Sequence, residues 1–233
     1  YNYVFDGFYN ETNPEWFQGS SYTHGACAYI LREGNIGQGF IQDVVHAPNY
    51  FHTALRNRWY GQQNDNFGNP QSLQTVAVHI YAPNRYNNIL GNVLGTTGYH
   101  TKYEAYPASA ADCDTSVFAL GFGGNCGNGT VDNAADVRTS LLRWGNYDTV
   151  NAAVRWQSSE VPTADANYPS STPATNTVPS SLFRSKKPPY WGSTIPWPPI
   201  GPDITSGNLS NSGGYANKNP AMVCYEAASK VTN

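Results

Sequence analysis

The chain has 233 residues, enough for one sizeable core or two small domains. Charged residues are only 12% of it, and 13 Lys and Arg stand against 16 Asp and Glu for a formal charge of −3. No basic stripe supports nucleic-acid binding and no apolar run is long enough to span a membrane, so neither is an expected partner. Polarity comes from 25 Asn, 22 Gly and 17 Tyr, which leaves amides rather than ions to satisfy buried backbone. The chain opens at Tyr1 in the strand-like run Tyr3-Val4-Phe5. That start is expected of a processed mature chain or a piece of a longer protein.

Short strands are predicted at residues 28–31, 40–45 and 76–81, where apolar residues alternate and Gly, Asn or Pro closes the run. A segment that follows each of the last two is repeated. Ala47-Pro48-Asn49, followed by Leu55-Arg56-Asn57, recurs 35 residues later as Ala82-Pro83-Asn84 and Leu90-Gly91-Asn92. Removing the Asn/Gln/Gly insertion at 62–71 shortens the period towards the low twenties, and Asn35 lies 22 residues before Asn57. Asn35, Asn57, Asn92 and Asn146 are therefore expected to stack in a column, each amide bonding to the next. Helical periodicity is confined to a short stretch at 132–142.

Cys27, Cys113, Cys126 and Cys224 lie at no metal-ligand spacing, and their even number fits an oxidising compartment. Of three pairings, Cys113–Cys126 closing a Gly-rich loop is favoured, with Cys27–Cys224 as the remainder. Two regions are expected. Residues 1–160 hold the strands and inserted loops. Residues 161–233 form an extended segment, because ten of the 16 prolines lie at 162–202. The large apolar side chains Leu182, Phe183, Tyr190, Trp191, Ile195, Trp197 and Ile200 are expected to pin that segment to the strands.

Several stretches together resemble a group of secreted bacterial right-handed parallel β-helix repeat proteins of the pectin-lyase-like superfamily. They are Glu33-Gly34-Asn35, residues 51–57 and 85–95, and a tail carrying Lys187-Pro188-Pro189-Tyr190-Trp191-Gly192 and Pro196-Trp197-Pro198-Pro199-Ile200-Gly201-Pro202-Asp203. The resemblance covers most of the chain from Ser20 and corresponds to the C-terminal part of such proteins. It implies an all-β fold, a right-handed parallel β-helix solenoid with a long proline-rich wrap, in a secreted or cell-surface protein.

That superfamily includes polysaccharide lyases and glycosidases, yet none of the four catalytic stretches shared by its glycosidases is intact here. Hydrolysis needs two carboxyl groups about 5 to 10 Å apart on one surface. Glu33 and Asp43 are the best candidates, with Arg56 as the base a lyase would need. Asp43, His46, Arg56, Arg58, Lys102 and Glu104 would have to share one face. Asp112, Asp114 and Asp132 lie in an oxygen-rich loop, which makes calcium the one cofactor to test. Tyr50, Trp59, Tyr60, Tyr81, Tyr86 and Tyr99 are expected on a face that stacks sugar rings or a neighbouring subunit. The expected function is a structural or adhesive extracellular protein, self-assembling into an oligomer or filament. The alternatives are a polysaccharide lyase or hydrolase and a carbohydrate-binding module.

Overall fold

The computed structural model describes residues 1–4, 21–23, 25–46, 48–64, 70–107, 113–124, 134–162 and 172–228. Strands come in groups of three: β1 (Ser21–Thr23), β2 (Leu31–Glu33) and β3 (Ile36–Gly37), then β4 (Phe40–Gln42), β5 (Thr53–Leu55) and β6 (Arg58–Trp59), then β7 (Val78–Ile80), β8 (Asn88–Leu90) and β9 (Val93–Leu94). β10 (Lys102–Ala105) and β11 (Ser116–Leu120) precede helix α1 (Ala135–Thr139). β12 (Leu142–Trp144), β13 (Asn146–Asp148) and β14 (Ala153–Arg155) close the series, and helix α2 (Pro220–Ala227) lies near the C-terminus.

Each group of three sends one strand to each of three sheets, ordered β1-β4-β7-β11-β10, β12-β8-β5-β2 and β14-β13-β9-β6-β3. Every pairing is parallel except β13 with β14. The sequence offsets are the registers: Glu33 lies opposite Leu55, Leu55 opposite Leu90, and Leu90 opposite Trp144.

The expected closed β-helix solenoid is corrected by this topology. The described strands make three separate, parallel-rich sheets with few helices, not one closed solenoid. The reason is local. The strands are two to five residues long, and left-handed corner residues separate the sheets, so no ladder runs from one sheet into the next. The last strand then turns back antiparallel.

One core lies between the sheets. Phe40, Ala54, Trp59, Val78, Ile80, Ile89, Leu94, Phe118 and Leu120 are at most 1% exposed and come from all three. Alternation puts their strand neighbours outside. Ile41, Ala119, Tyr81 and Phe122 cluster on the outer face of the first sheet. Ile36, Val93 and Tyr147 meet Ile200, Leu209, Ala216 and Met222 of the C-terminal segment on the outer face of the third.

The corners between the second and third sheets are built on asparagine. Asn35 donates its backbone N–H and its side-chain amide to Asn57 Oδ1, both at 2.9 Å. Asn57 does the same to Asn92 Oδ1 at 2.8 and 2.9 Å, and Asn92 to Asn146 Oδ1 at 2.9 and 3.0 Å. Asn2 extends the series, donating twice to Asn35 Oδ1 at 3.0 Å. A second asparagine pair, Asn49 onto Asn84 Oδ1 at 2.8 and 2.9 Å, stands at the repeated Ala-Pro-Asn triplet.

The aromatic face differs from expectation. Trp59 and Tyr81 are core residues, because their strand parity turns them towards packed faces. Tyr86 instead joins a stack with Phe51 and Tyr29, whose centroids are 5.2 and 5.1 Å apart with rings within 10° of parallel. All three stand at φ between 57° and 59°, an unfavourable backbone for L-residues that the stacking helps to offset. The expected Cys27–Cys224 disulfide is also corrected: both are free thiols, Cys224 on the exposed face of α2. Cys113 is buried, and Cys126, its expected partner, lies outside the described residues.

Replacing Asn92 with Ala removes bonds on both sides of a buried position and should cost on the order of 1–3 kcal/mol. Asn64→Ala, at an exposed site, should change stability little; equal losses in a urea series would contradict the column. A second expectation concerns acid. Burial pulls His79 down to about 3 and His100 down to about 4. His100 Nδ1 accepts from Thr96 N at 2.8 Å and Nε2 faces Thr75 O at 3.2 Å, an arrangement that needs the neutral ring. The unfolded chain protonates these rings near pH 6.5, so their stabilisation is complete above that pH and is lost as pH falls towards 4. The loss from His100 alone should be about 3 kcal/mol by pH 4. Urea midpoints at pH 7 and pH 4 measure it, and His100→Gln should shrink the difference.

Candidate functional site

Glu33 ends β2, an edge strand of the second sheet, and Arg56 follows β5 at the next corner. Both reach outward to the C-terminal segment. Glu33 Oε1 accepts from Ser181 Oγ at 2.6 Å and from the Tyr1 hydroxyl at 3.1 Å, and Oε2 accepts from Leu182 N at 2.8 Å. Trp197 Nε1 donates to the same Tyr1 oxygen at 3.0 Å. Burial and the Glu33 charge push the Tyr1 hydroxyl up to about 12, so it remains a donor at any physiological pH.

Arg56 is 1% exposed and uses its whole guanidinium on that segment. Nε donates to Pro179 O at 2.7 Å, Nη1 to Ile200 O at 2.9 Å and Nη2 to Val178 O at 3.0 Å. Asp203 closes the arrangement, with its carboxylate 2.5 and 3.1 Å from Nη1 and Nη2. Arg56 also stands at φ 54°, at a corner where the other three layers carry Gly34, Gly91 and Gly145. A left-handed backbone costs a non-glycine residue roughly 1–2 kcal/mol. The bonds to the segment outweigh it, since hydrogen bonds from a charged donor contribute about 1.5–3 kcal/mol each when buried.

Arg58, on β6, is fully buried beneath the same segment. It donates to Asn211 O at 3.0 Å and to Val93 O at 3.2 Å, and lies 4.4 Å over the Tyr60 ring. Desolvation draws its pKa down to about 10, so it is charged at neutral pH.

The groups expected to carry chemistry are thus separated. Asp43 lies in the turn after β4, where Oδ1 accepts from Val45 N at 2.8 Å and Oδ2 meets His46 Nδ1 at 2.5 Å. Lys102 reaches Asp114 O at 3.3 Å on the first sheet. Glu104 is held by Arg138 and Arg143 at 2.7 Å each. Burial pushes the Glu104 carboxyl up, but these two guanidinium groups outweigh it and hold it below its usual range. Asp114 Oδ1 accepts from Thr75 N at 3.0 Å, and its calcium companions Asp112 and Asp132 lie outside the described residues. Among the described residues no group of three or more His, Cys, Asp or Glu is placed to hold a metal ion.

The expected aromatic pinning of the C-terminal segment is corrected as well. Trp191 and Ile200 are buried, but Leu182, Phe183 and Tyr190 are 55%, 73% and 71% exposed. Proline fixes the segment as an extended run, so only some of its rings can face the sheets, and Arg56 and Glu33 supply the attachment that those rings do not. Between this segment and β2 lies a cleft of about 450 Å³, lined by Tyr1, Asn2, Glu33, Phe183, Arg184 and Tyr190 among others.

Comparisons of the chain with family models, with curated proteins and with solved structures gave no match. No helix among the described residues is long and apolar enough to cross a membrane.

Arg56→Gly restores the glycine of the other corners but leaves the buried Ile200 carbonyl without its donor. It should free the segment, accelerating proteolysis between residues 172 and 203 severalfold while far-UV circular dichroism stays unchanged. Gly201→Ala should act in the same direction, because its Cβ would lie 1.9 Å from Arg56 Nη1. Proteolysis at the wild-type rate in both variants would show that the clamp does not hold the segment.

Proposed function

We propose that the chain is a non-catalytic structural or adhesive protein of the extracellular space or cell surface. One observation carries this reading: Glu33, Asp43 and Arg56, the groups best suited to cleave a polysaccharide, are each bonded into the scaffold. A general base must reach a substrate proton, and a carboxylate with both oxygens occupied in holding a neighbouring segment is poorly placed to do so. Low charge and the asparagine corners fit a protein whose rigidity is its purpose.

Assembly through the ends of the sheets is part of the reading, at one end. β14 pairs antiparallel along β13, and the turn at Ser158–Glu160 packs against β12, so that end is covered in two sheets. The end at β2 carries the cleft and its exposed rings, which support carbohydrate contact as the adhesive role.

A panel of uronate-containing and neutral polysaccharides, read by unsaturated-product absorbance and by reducing ends, tests the absence of catalysis. No turnover is expected. Turnover abolished by Glu33→Gln, Asp43→Asn or Arg56→Ala in folded protein would establish a lyase or hydrolase instead.

A further inference from the structure

A small pocket lies where helix α1, strand β12 and the turn at Ser158–Glu160 meet. Its volume is about 150 Å³, and Arg138, Thr139, Arg143, Ser159 and Glu160 are among its lining residues. Arg143 is the buried part of that wall, 4% exposed. Its single hydrogen bond among the described residues runs from Nη1 to Glu104 Oε2 at 2.7 Å. The buried Nε of the same guanidinium has no acceptor there. A guanidinium carries five N–H donors, and a buried donor left unmet costs free energy that a ligand's oxygens would recover.

The charges around the pocket do not balance. Three guanidinium groups, Arg138, Arg143 and Arg155, share two carboxylates. Glu104 Oε1 accepts from Arg138 and its Oε2 from Arg143. Glu160 lines the pocket, but its Oε1 accepts from Arg155 at 2.5 Å and its Oε2 from the Tyr103 hydroxyl at 3.0 Å. Asp136, the acid of α1, is paired with Arg85. One positive charge is therefore left over. The Tyr103 and Phe118 rings, centred 5.4 and 5.2 Å from the Arg143 guanidinium, shield it from water and so strengthen its attraction for an anion. The exposed Ser159 side chain adds a hydroxyl at the rim.

We propose that this pocket binds a phosphate group, free or at the end of a monoester, with its oxygens on Arg143, Arg138 and the Ser159 hydroxyl. The volume corresponds to about five non-hydrogen atoms at roughly 30 Å³ each, the size of that group. A guanidinium offers a phosphate two parallel donors. A tetrahedral oxyanion then has oxygens left for the second arginine and the hydroxyl, which a carboxylate lacks. The bound group joins α1 to the turn that packs against β12. The inference is independent of what the protein adheres to.

Titration of the whole chain with inorganic phosphate, methyl phosphate and acetate at constant ionic strength tests it, by calorimetry and by proton–nitrogen NMR. Saturable one-to-one phosphate binding is expected, with a dissociation constant of about 1 mM or tighter. The amide shifts should centre on Arg138, Arg143 and Ser159. Inorganic phosphate binding alone marks a free ion, and methyl phosphate binding as well marks the end of a monoester. Acetate should bind at least about tenfold more weakly. Arg138→Gln, at a partly exposed position, should weaken phosphate by about tenfold or more. Ser159→Glu, which adds a competing carboxylate at the rim, should abolish binding. Lys186→Gln removes the same charge from the exposed C-terminal segment and should bind as the wild type does. The proposal is overturned if the wild type binds neither phosphate, if acetate binds equally well, or if the shifts spread over the exposed lysines and arginines. Equal weakening by Arg138→Gln and Lys186→Gln would overturn it too.

Discussion

A corner made of short strands must satisfy backbone groups that neither adjoining sheet can reach, and asparagine does this without a charge. Its amide carries a donor and an acceptor on one short side chain. Here each Asn gives two hydrogen bonds to the oxygen of the next, from Asn2 through Asn35, Asn57 and Asn92 to Asn146. The amide nitrogens make further bonds to backbone, as Asn92 does to Ala54 O and Leu90 O. These contacts fix the parallel registers of the second and third sheets together, because one column belongs to both. The common core, the outer faces and the seat of the C-terminal segment all follow from those registers.

Arg56 shows where function-like strain has been placed. Three of the four corners put glycine before the asparagine, since the backbone there is left-handed. At the fourth an arginine accepts that backbone and gains contact with residues 122 to 147 positions away. Its partner Asp203 is half exposed, so the ion pair itself contributes modestly, and the carbonyl bonds matter more. Catalytic clefts use a buried arginine to grip substrate; this one grips its own chain.

The periodic part of the structure was legible in the sequence. Repeated Ala-Pro-Asn and Leu-x-Asn stretches gave the 35-residue register, and asparagine at each turn gave the column, because both depend on local geometry. The Gly-Asn pairs held one more signal: a residue other than glycine before Asn57 marks a place where the side chain has work elsewhere. The rest depends on contacts that sequence spacing does not encode. Glu33 looked like a catalytic candidate because Ser181 and Leu182, which occupy its carboxylate, lie almost 150 residues away. Phe183 and Tyr190 looked like anchors because hydrophobic size suggests burial, yet in an extended proline-bound segment half the rings face water. The separation into three sheets escaped for a similar reason: a repeat specifies which strands pair, and the corner conformation decides whether their ladders join.

The column is also directional. Every asparagine donates towards the next higher number, from Asn2 to Asn146, whose strand is paired antiparallel to β14 with Asn146 opposite Arg155. The parallel registers of the second and third sheets therefore run in one sense along the column, and the antiparallel return of β14 is where the third sheet stops following them.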